Sequence, residues 1–388
     1  AEKDISKAKQ AISDEFQREM QLGMIKDIQV EKEKAIVAIV GEKMKKTAGI
    51  AGRFFQSLGK NGINVYAIAQ GSSELNISAV ISSADLNKAL NTIHDVFFLS
   101  RVKTAHLFLI GPGLIGSTVL ELLKNQQELL ASQYNLEITL NGIINTSKAL
   151  LSGEGIDPGA WKDIFNMRGI SFKLEDFVQK MKAMNLPNSI VLDCTSSEEV
   201  VRFYPEFLSH HIAVVTPNKK ANSSEFAFYQ HLQELSREKN VPFLYETNVG
   251  AGLPIIQTIR DLIMSGDKIF RIEGILSGTM NFIFSRFMET DLPFSAVVQE
   301  ALEKGFTEPH PEDDLNGMDV GRKILILARE AGYPLEMSQV EIQSLIPEGA
   351  DGHLPLEEFF TRLNAVDEQM NSLRENARKK GMVLRYTA

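Results

Sequence analysis

The sequence predicts an α/β chain: a parallel sheet covered by helices at its centre, a mixed region after it and a small α+β layer before it. Three observations carry that prediction. Residues 104–246 hold long apolar runs, HLFLIG, LEITLNGII, SIVLDCT, HIAVVTP and PFLYET, separated by helical stretches such as LEDFVQKMKAM and SSEFAFYQHLQELSREK. Strands buried on both faces read as continuous apolar runs, and their alternation with helices marks parallel crossovers. A Gly-x-Gly-x-x-Gly turn follows the first run directly. Finally, 388 residues with 44% apolar and 23% charged side chains suit two or three globular domains.

The elements follow in order. Ile5, Ala8, Ile12 and Phe16 share one helical face, and Gly23 stops it. KAIVAIVG (34–41) is strand-like, and Ile50, Ala51, Phe54, Phe55 and Leu58 form a helical stripe closed by Gly59. NVYAIAQ (64–70) and LNISAVIS (75–82) are strands joined by a GSS turn, the second alternating as a half-buried strand does. Ser83 is placed to cap a helix carrying Leu86, Ala89, Leu90 and Ile93. Within the central region, the Gly- and Pro-rich stretch 151–163 is expected to be a surface loop. Beyond 247 the sequence predicts a strand at RIEGILSG, helices around 293–304 and 317–331, and one long helix within 355–380. The last residues, GMVLRYTA, are expected to form a strand with nothing to pair with, as in a fold cut short.

Composition narrows the function. Acids outnumber bases 50 to 41, a formal charge of -9, and no Lys/Arg cluster stands out, so a nucleic-acid partner is not expected. The single cysteine, Cys194, excludes an internal disulfide and a cysteine-built metal site. No apolar run approaches the ~20 residues of a membrane span, and AEKDISKAKQ lacks a secretory core. The expectation is a cytoplasmic protein without a membrane partner. No HExxH or GxSxG motif occurs.

Three segments carry chemistry. Gly111, Gly113 and Gly116 give G-x-G-x-x-G, which reads either as turn glycines or as a dinucleotide-binding fingerprint, and the strand before, the helix after and the parallel strands downstream favour the second. The turn must be tight, a pyrophosphate must approach the backbone, and the amides near Leu114 and Ile115 receive its charge at a helix start. An NAD site usually places an acid after the second strand. Here Asn145-Thr146-Ser147-Lys148 has none, which leaves two readings of Lys148: a partner for the 2′-phosphate of NADP, or a solvated lysine at a helix start. VTPNKKANS (215–223) ends a later strand, so Lys219 or Lys220 could face the ligand or only solvent. In TEPHPEDDLNGMDVGRK (307–323), Asp319 and Lys323 are spaced i, i+4. They form either a surface ion pair worth ~0.2–0.5 kcal/mol or a lysine poised to protonate a carbonyl under reduction.

Taken together, IGPGLIG, DCTSS (193–197), VTPNKKANS, ETNVGAGLP (246–254), LSGTMNFIF (276–284) and FTEPHPEDDLNGMDVGRKILILARE (306–330) closely resemble homoserine dehydrogenase, as the dehydrogenase part of bifunctional aspartokinase–homoserine dehydrogenases. Residues 1–100, with GINVYAIAQGSSELNIS, resemble an ACT-type regulatory region. The resemblance implies a Rossmann-type cofactor domain at 101–246 and an α+β substrate and dimerisation domain at 247–388. It implies NAD(P)H-dependent, reversible reduction of aspartate 4-semialdehyde to homoserine, a step of threonine and methionine biosynthesis. By the same resemblance, Lys323 is the acid/base lysine and Lys219 a second one beside the nicotinamide. Glu308, Asp314 and Asp319 bind the amino-acid substrate, with Thr279 close by, and Thr195 contacts cofactor. Glu246 with the Val249, Ala251 and Leu253 carbonyls would hold a monovalent cation, usually sodium. Asn64 and Gln70 would bind threonine as effector, and the whole would be a homo-oligomer. The family's kinase part and the segment continuing beyond LRYTA are not in this sequence, so no aspartokinase activity is expected of it.

Overall fold

The computed structural model describes residues 4–44, 47–71, 75–97, 103–347 and 354–388. They divide into two compact units. The first gathers the chain up to Thr104 with Ala131–Glu137 and Asn185–Pro187; the second holds the rest.

In the first unit, β1 (Lys34–Val40), β2 (Ala67–Gln70) and β3 (Asn76–Ser82) form an antiparallel sheet in the order β1-β3-β2. Alternation decides which side is covered. Ile77, Ala79 and Ile81 of β3 and Val37 and Ile39 of β1 pack on Phe54, Leu58, Ala89 and Ile93. Those last four come from the helices Ile50–Lys60 and Leu86–Phe97. The N-terminal stripe does fold, as Ile5–Glu15 and Gln17–Gln21, but neither helix buries a residue. The expected Ser83 cap is corrected to Ser82, whose hydroxyl accepts from the Ala84 N–H and opens a 3₁₀ turn, Ser83–Asp85. Ser72 and Ser73 of the expected turn lie outside the described residues.

The second unit is built on six strands, β4 (Lys103–Ile110), β5 (Leu136–Ile144), β6 (Ala149–Ile156), β7 (Ser189–Asp193), β8 (Ala213–Val215) and β9 (Phe243–Leu244), in the order β6-β5-β4-β7-β8-β9. The pairs β4/β7, β7/β8 and β8/β9 are parallel. The sheet is mixed, however, because β6 runs antiparallel to β5. A parallel neighbour needs a long crossover, whereas β5 and β6 are joined by a tight turn in which Asn145 N–H donates to the Lys148 carbonyl. The surface loop expected at 151–163 is therefore mostly structure: its first half belongs to β6 and its end starts the helix Trp161–Arg168. Trp161 and Phe165 drive that helix into a core with Leu109, Leu120, Leu140 and Ile143. Only the turn around Asp157–Gly159 remains, fixed by a bond from Gly159 N–H to Asp157 Oδ1.

The later residues are mainly helical. Ile255–Met264, Gly278–Glu289, Phe294–Glu303, Glu312–Leu315 and Met318–Glu330 lead to Leu356–Leu363 and Asp367–Lys379. Met280, Ile283, Phe287, Phe294, Val297 and Phe359 make their core. The strand expected at RIEGILSG does not form, because Ser277 caps a helix that begins at Gly278. The final residues form no strand either, yet they are not bare: Ala388 and Gly274 exchange two backbone hydrogen bonds of 3.0 and 2.9 Å, and Leu384 and Tyr386 pack on the core. The single long helix expected within 355–380 is interrupted at Asn364–Val366. After the break, Asp367 takes the Ser295 N–H and hydroxyl at 2.8 and 2.6 Å, capping the helix Phe294–Glu303.

Candidate functional site

The chain leaves β4 outward in both directions, to β5 on one side and β7 on the other, so the carboxyl ends of these strands flank a crevice. Gly111 follows β4 at φ +87°, a conformation L residues rarely adopt. A Cβ there would lie 2.6 Å from Thr195 Cγ2, and one at Gly116 would run into the Gly111 carbonyl oxygen. A Cβ at Gly113 would meet nothing within 4 Å. The outer two glycines thus serve protein packing, while the middle one faces open space at the start of the helix Leu114–Tyr134. Leu114 is 86% exposed and Ile115 is exposed beside it. The residues fit a dinucleotide pyrophosphate: a cradle of backbone amides with room that a side chain would fill.

At the end of β5, Asn145 Oδ1 accepts from the Ser147 N–H and hydroxyl and from the Lys148 N–H, at 2.9–3.0 Å. Lys148 occupies this strand-to-strand turn, so its reading as a helix-start lysine is corrected. Its ammonium reaches Asn166 Oδ1 at 3.2 Å and lies over the Phe165 ring.

On the next strands, Lys219 and Lys220 separate. Lys220 pairs with Glu198 at 3.2 Å, while Lys219 turns to Asp319 Oδ1 at 3.3 Å. The other oxygen of Asp319 holds Lys323 at 2.6 Å, one helical turn on, and Lys323 also donates to the Leu276 carbonyl at 2.7 Å. One carboxylate therefore bridges two ammonium groups that the sequence places 104 residues apart. Burial works against the charge on Asp319, but Lys219 and Lys323 outweigh it and hold the carboxyl below its ordinary range. Asp314 behaves oppositely. Burial raises it despite the bond it accepts from the Glu308 N–H at 2.8 Å and the Thr279 hydroxyl beside it. Thr279 donates to the Phe306 carbonyl, which ties the helix Gly278–Glu289 to the start of the acidic segment. Glu308 itself is exposed.

In the loop after β9, Glu246 takes the Ile256 and Gln257 N–H groups, one on each oxygen, at 2.9 and 3.0 Å. It caps the helix Ile255–Met264 from outside. Gly250 and Ala251 both have positive φ, Val249 is buried, and the Leu253 carbonyl accepts from Ile255. The loop thus turns on itself between Glu246 and the helix it caps. In the first unit, Gln70 helps line a cavity of about 350 Å³ with Met44, Thr47, Gly49, Ile50 and Ile77. Gly49, at φ +87°, opens the helix Ile50–Lys60 there. Asn64 is exposed and is not among the lining residues.

Sequence reasoning missed the polar groups that join these parts. Asn222 Nδ2 donates to Asn248, Asn248 donates to the Thr216 carbonyl, and the Arg329 guanidinium donates to the Asn222 carbonyl, all buried. Glu330, next to Arg329, accepts from Tyr229, Tyr245 and Arg260. The helix bearing Asp319 and Lys323 is thereby anchored at its far end to the segments around Lys219 and Glu246. The only advance signal was a pair of charges, Arg329-Glu330, at the end of an apolar helix.

Residues 254–388 match the homoserine dehydrogenase family, residues 111–246 the homoserine dehydrogenase NAD-binding domain, and residues 37–97 an ACT domain. The chain is 43% identical over 386 residues to the chloroplastic bifunctional aspartokinase/homoserine dehydrogenase 2 of Arabidopsis thaliana, covering 99% of this chain and 42% of that protein. It thus spans about two fifths of the length of that relative. A crystal structure of a Candida auris protein of unknown function shares 32% identity over 74% of this chain and 79% of that one, with a TM-score of 0.66. A hyperthermophilic archaeal homoserine dehydrogenase in complex with NADPH superposes with a TM-score of 0.52 at 24% identity, over 62% of this chain and 75% of that one, a likeness of fold. The domains matched in sequence account for both the glycine turn and the lysine–carboxylate cluster, and the chain belongs to the homoserine dehydrogenase family, with an ACT domain ahead of its NAD-binding domain.

Proposed function

We propose that this chain reduces aspartate 4-semialdehyde to homoserine, reversibly, with residues 101–246 holding the cofactor, 247–388 the substrate and 1–100 regulating. The observation that carries the reading is the Asp319 carboxylate shared by Lys219 and Lys323. The nicotinamide cofactor, when bound, supplies the hydride. As negative charge develops on the aldehyde oxygen, the Lys323 ammonium stabilises it and gives up a proton. Two of its contacts, Asp319 and the Leu276 carbonyl, fix its direction and leave a third N–H for the substrate. Lys219 adds positive charge on the cofactor side. Glu308, Asp314 and Asp319, with Thr279, hold the substrate's ammonium, so the aldehyde meets one face of the nicotinamide. Cys194 takes no part: burial, with Asp193 beside it, pushes its thiol up to about 12, so it is no nucleophile near neutral pH. The assay is oxidation of NADPH on addition of aspartate 4-semialdehyde; no oxidation by the folded full-length protein sinks the reading.

Asp314 gives the reaction a pH signature. Its raised pKa leaves it protonated further up the pH scale than an ordinary aspartate, and only the ionised form attracts an ammonium. As pH falls through that raised value, kcat/KM for homoserine is expected to fall, chiefly through KM. Asp314→Asn should lose about tenfold or more in kcat/KM and flatten this acid limb. An unchanged limb in the variant assigns the titration elsewhere.

NADP is preferred over NAD in this reading, since the β5 turn offers Lys148, Ser147 and Asn145 and no carboxylate. A monovalent cation, sodium by preference, belongs to the loop of Glu246, Val249, Ala251 and Leu253, where it would stiffen the segment leading into the helix Ile255–Met264. Threonine is the proposed effector, bound in the cavity lined by Gln70, with its carboxylate toward the helix start at Gly49. Gln70→Ala should raise the threonine concentration for half-inhibition about tenfold with uninhibited turnover unchanged; inhibition that survives intact moves the effector elsewhere. The working form is proposed to be a cytoplasmic homo-oligomer. Among the described residues, no helix is long and apolar enough to cross a membrane.

A further inference from the structure

We infer that Asp193 is a positioning residue that sets both walls of the crevice at once, an inference that rests on the dehydrogenase reading above. Asp193 is the last residue of β7 and is fully buried. Its Oδ1 accepts from the Thr195 N–H at 2.8 Å and the Thr195 hydroxyl at 2.7 Å. Its Oδ2 accepts from the Tyr204 hydroxyl at 2.6 Å and Asn218 Nδ2 at 3.1 Å. Its backbone carbonyl takes the Thr216 hydroxyl at 2.9 Å. Each of these donors is neutral, and Tyr204, Thr216 and Asn218 are themselves buried. A carboxylate sunk this deep and ringed by neutral donors is costly to place. What it achieves is geometric.

The two oxygens serve two different loops. Through Oδ1, Asp193 holds Thr195 in a tight turn, and Thr195 Cγ2 occupies the space a side chain at Gly111 would need. The first glycine of the dinucleotide turn is therefore packed against a residue whose position Asp193 dictates. Through Oδ2, it holds Asn218, which also donates to the Ser197 carbonyl at 3.0 Å and accepts from the Lys220 N–H at 3.1 Å. Lys219 lies between those two anchored residues and reaches Asp319. The cofactor wall and the lysine wall thus share one buried anchor, with one oxygen for each.

The test separates the two arms. NADPH binding is followed by the fluorescence of its nicotinamide, turnover by its oxidation with saturating aspartate 4-semialdehyde, and folding by Tm. In Asp193→Ala both accepting oxygens are lost, so both arms are expected to suffer: the Kd for NADPH rises roughly tenfold and turnover at saturation falls roughly tenfold. Asn218→Ala cuts the lysine arm and one bond to the Ser197 carbonyl, but keeps both bonds by which Asp193 holds Thr195. Turnover should fall several-fold while the Kd for NADPH stays within about twofold. A residue that merely stabilised the fold would lower Tm and leave Kd and turnover per folded molecule unchanged, and that result overturns the inference. It is equally overturned if both variants shift the Kd alike. Should Asp193→Ala not fold, Asn218→Ala decides alone: lost turnover at unchanged Kd supports the anchor, and unchanged turnover refutes it. Wild-type protein that binds no NADPH refutes the dehydrogenase reading instead.

Discussion

Lys323→Ala is expected to lower turnover by about 10²–10⁴-fold, the usual worth of a positioned general acid, while the affinity for NADPH stays within about twofold. The asymmetry follows from where the ammonium sits. Lys323 is held by Asp319 and the Leu276 carbonyl, neither of which belongs to the glycine turn at 111–116, so its loss removes no bond of the pyrophosphate cradle. The fold should tolerate the change, because Asp319 keeps Lys219 as a partner at 3.3 Å. What disappears is the proton donor and the positive charge at the developing alkoxide, effects that grow in a water-poor site. Lys323→Arg refines the test. A guanidinium retains charge but scarcely releases a proton, so it should recover part of the electrostatic term and little of the proton transfer. Steady-state rates in both directions at saturating cofactor measure this. Wild-type turnover in the alanine variant would remove Lys323 from the chemistry and leave Lys219 as the remaining candidate in this cluster.

Local pattern carried much of the fold. The run LEDFVQKMKAM reads as a helix and is one, Leu174–Met184, because its acids start it and Phe177, Val178 and Met181 share its buried face. β3 was legible from alternation alone, with Ile77, Ala79 and Ile81 buried between half-buried neighbours. What failed depended on partners distant in sequence. β6 has too much glycine to read as a strand, and it exists because β5 lies beside it across a short turn; Gly155, at φ +98°, fits where Thr139 leaves no room for a Cβ. RIEGILSG has strand composition, but Ser277 takes its end for a helix cap. In the site, Gly111, Gly113 and Gly116 were readable because their task is local. The choice between Lys219 and Lys220 was not, since only folding shows that one meets Asp319 and the other Glu198. Asp193 was passed over for the same reason: its donors come from four positions between 195 and 218 and converge only when β7 and β8 pair.

Gly113→Ala should weaken NADPH binding by about 10²-fold or more without lowering Tm, a combination that Gly116→Ala should not show. At Gly113 the added methyl meets no protein atom within 4 Å, and the backbone is not left-handed there, so alanine fits and can even favour the helix start slightly. The methyl would instead enter the space a pyrophosphate needs against the amides of Leu114 and Ile115. At Gly116 the methyl would strike the Gly111 carbonyl and lie 3.3 Å from Leu109 Cδ1, so the turn itself must move. That overpacking costs about 1–3 kcal/mol, and Gly116→Ala should therefore lower Tm together with affinity. Titration of nicotinamide fluorescence beside thermal melts of the two variants separates the cases. Wild-type affinity in Gly113→Ala would mean that the phosphates bind away from this turn. Equal losses of Tm in both would mean that the open space at Gly113 is filled in the folded protein. A loss of affinity confined to Gly113→Ala, with Gly116→Ala binding normally, would leave the third glycine a packing residue only and place the whole of cofactor recognition on the first turn of the helix.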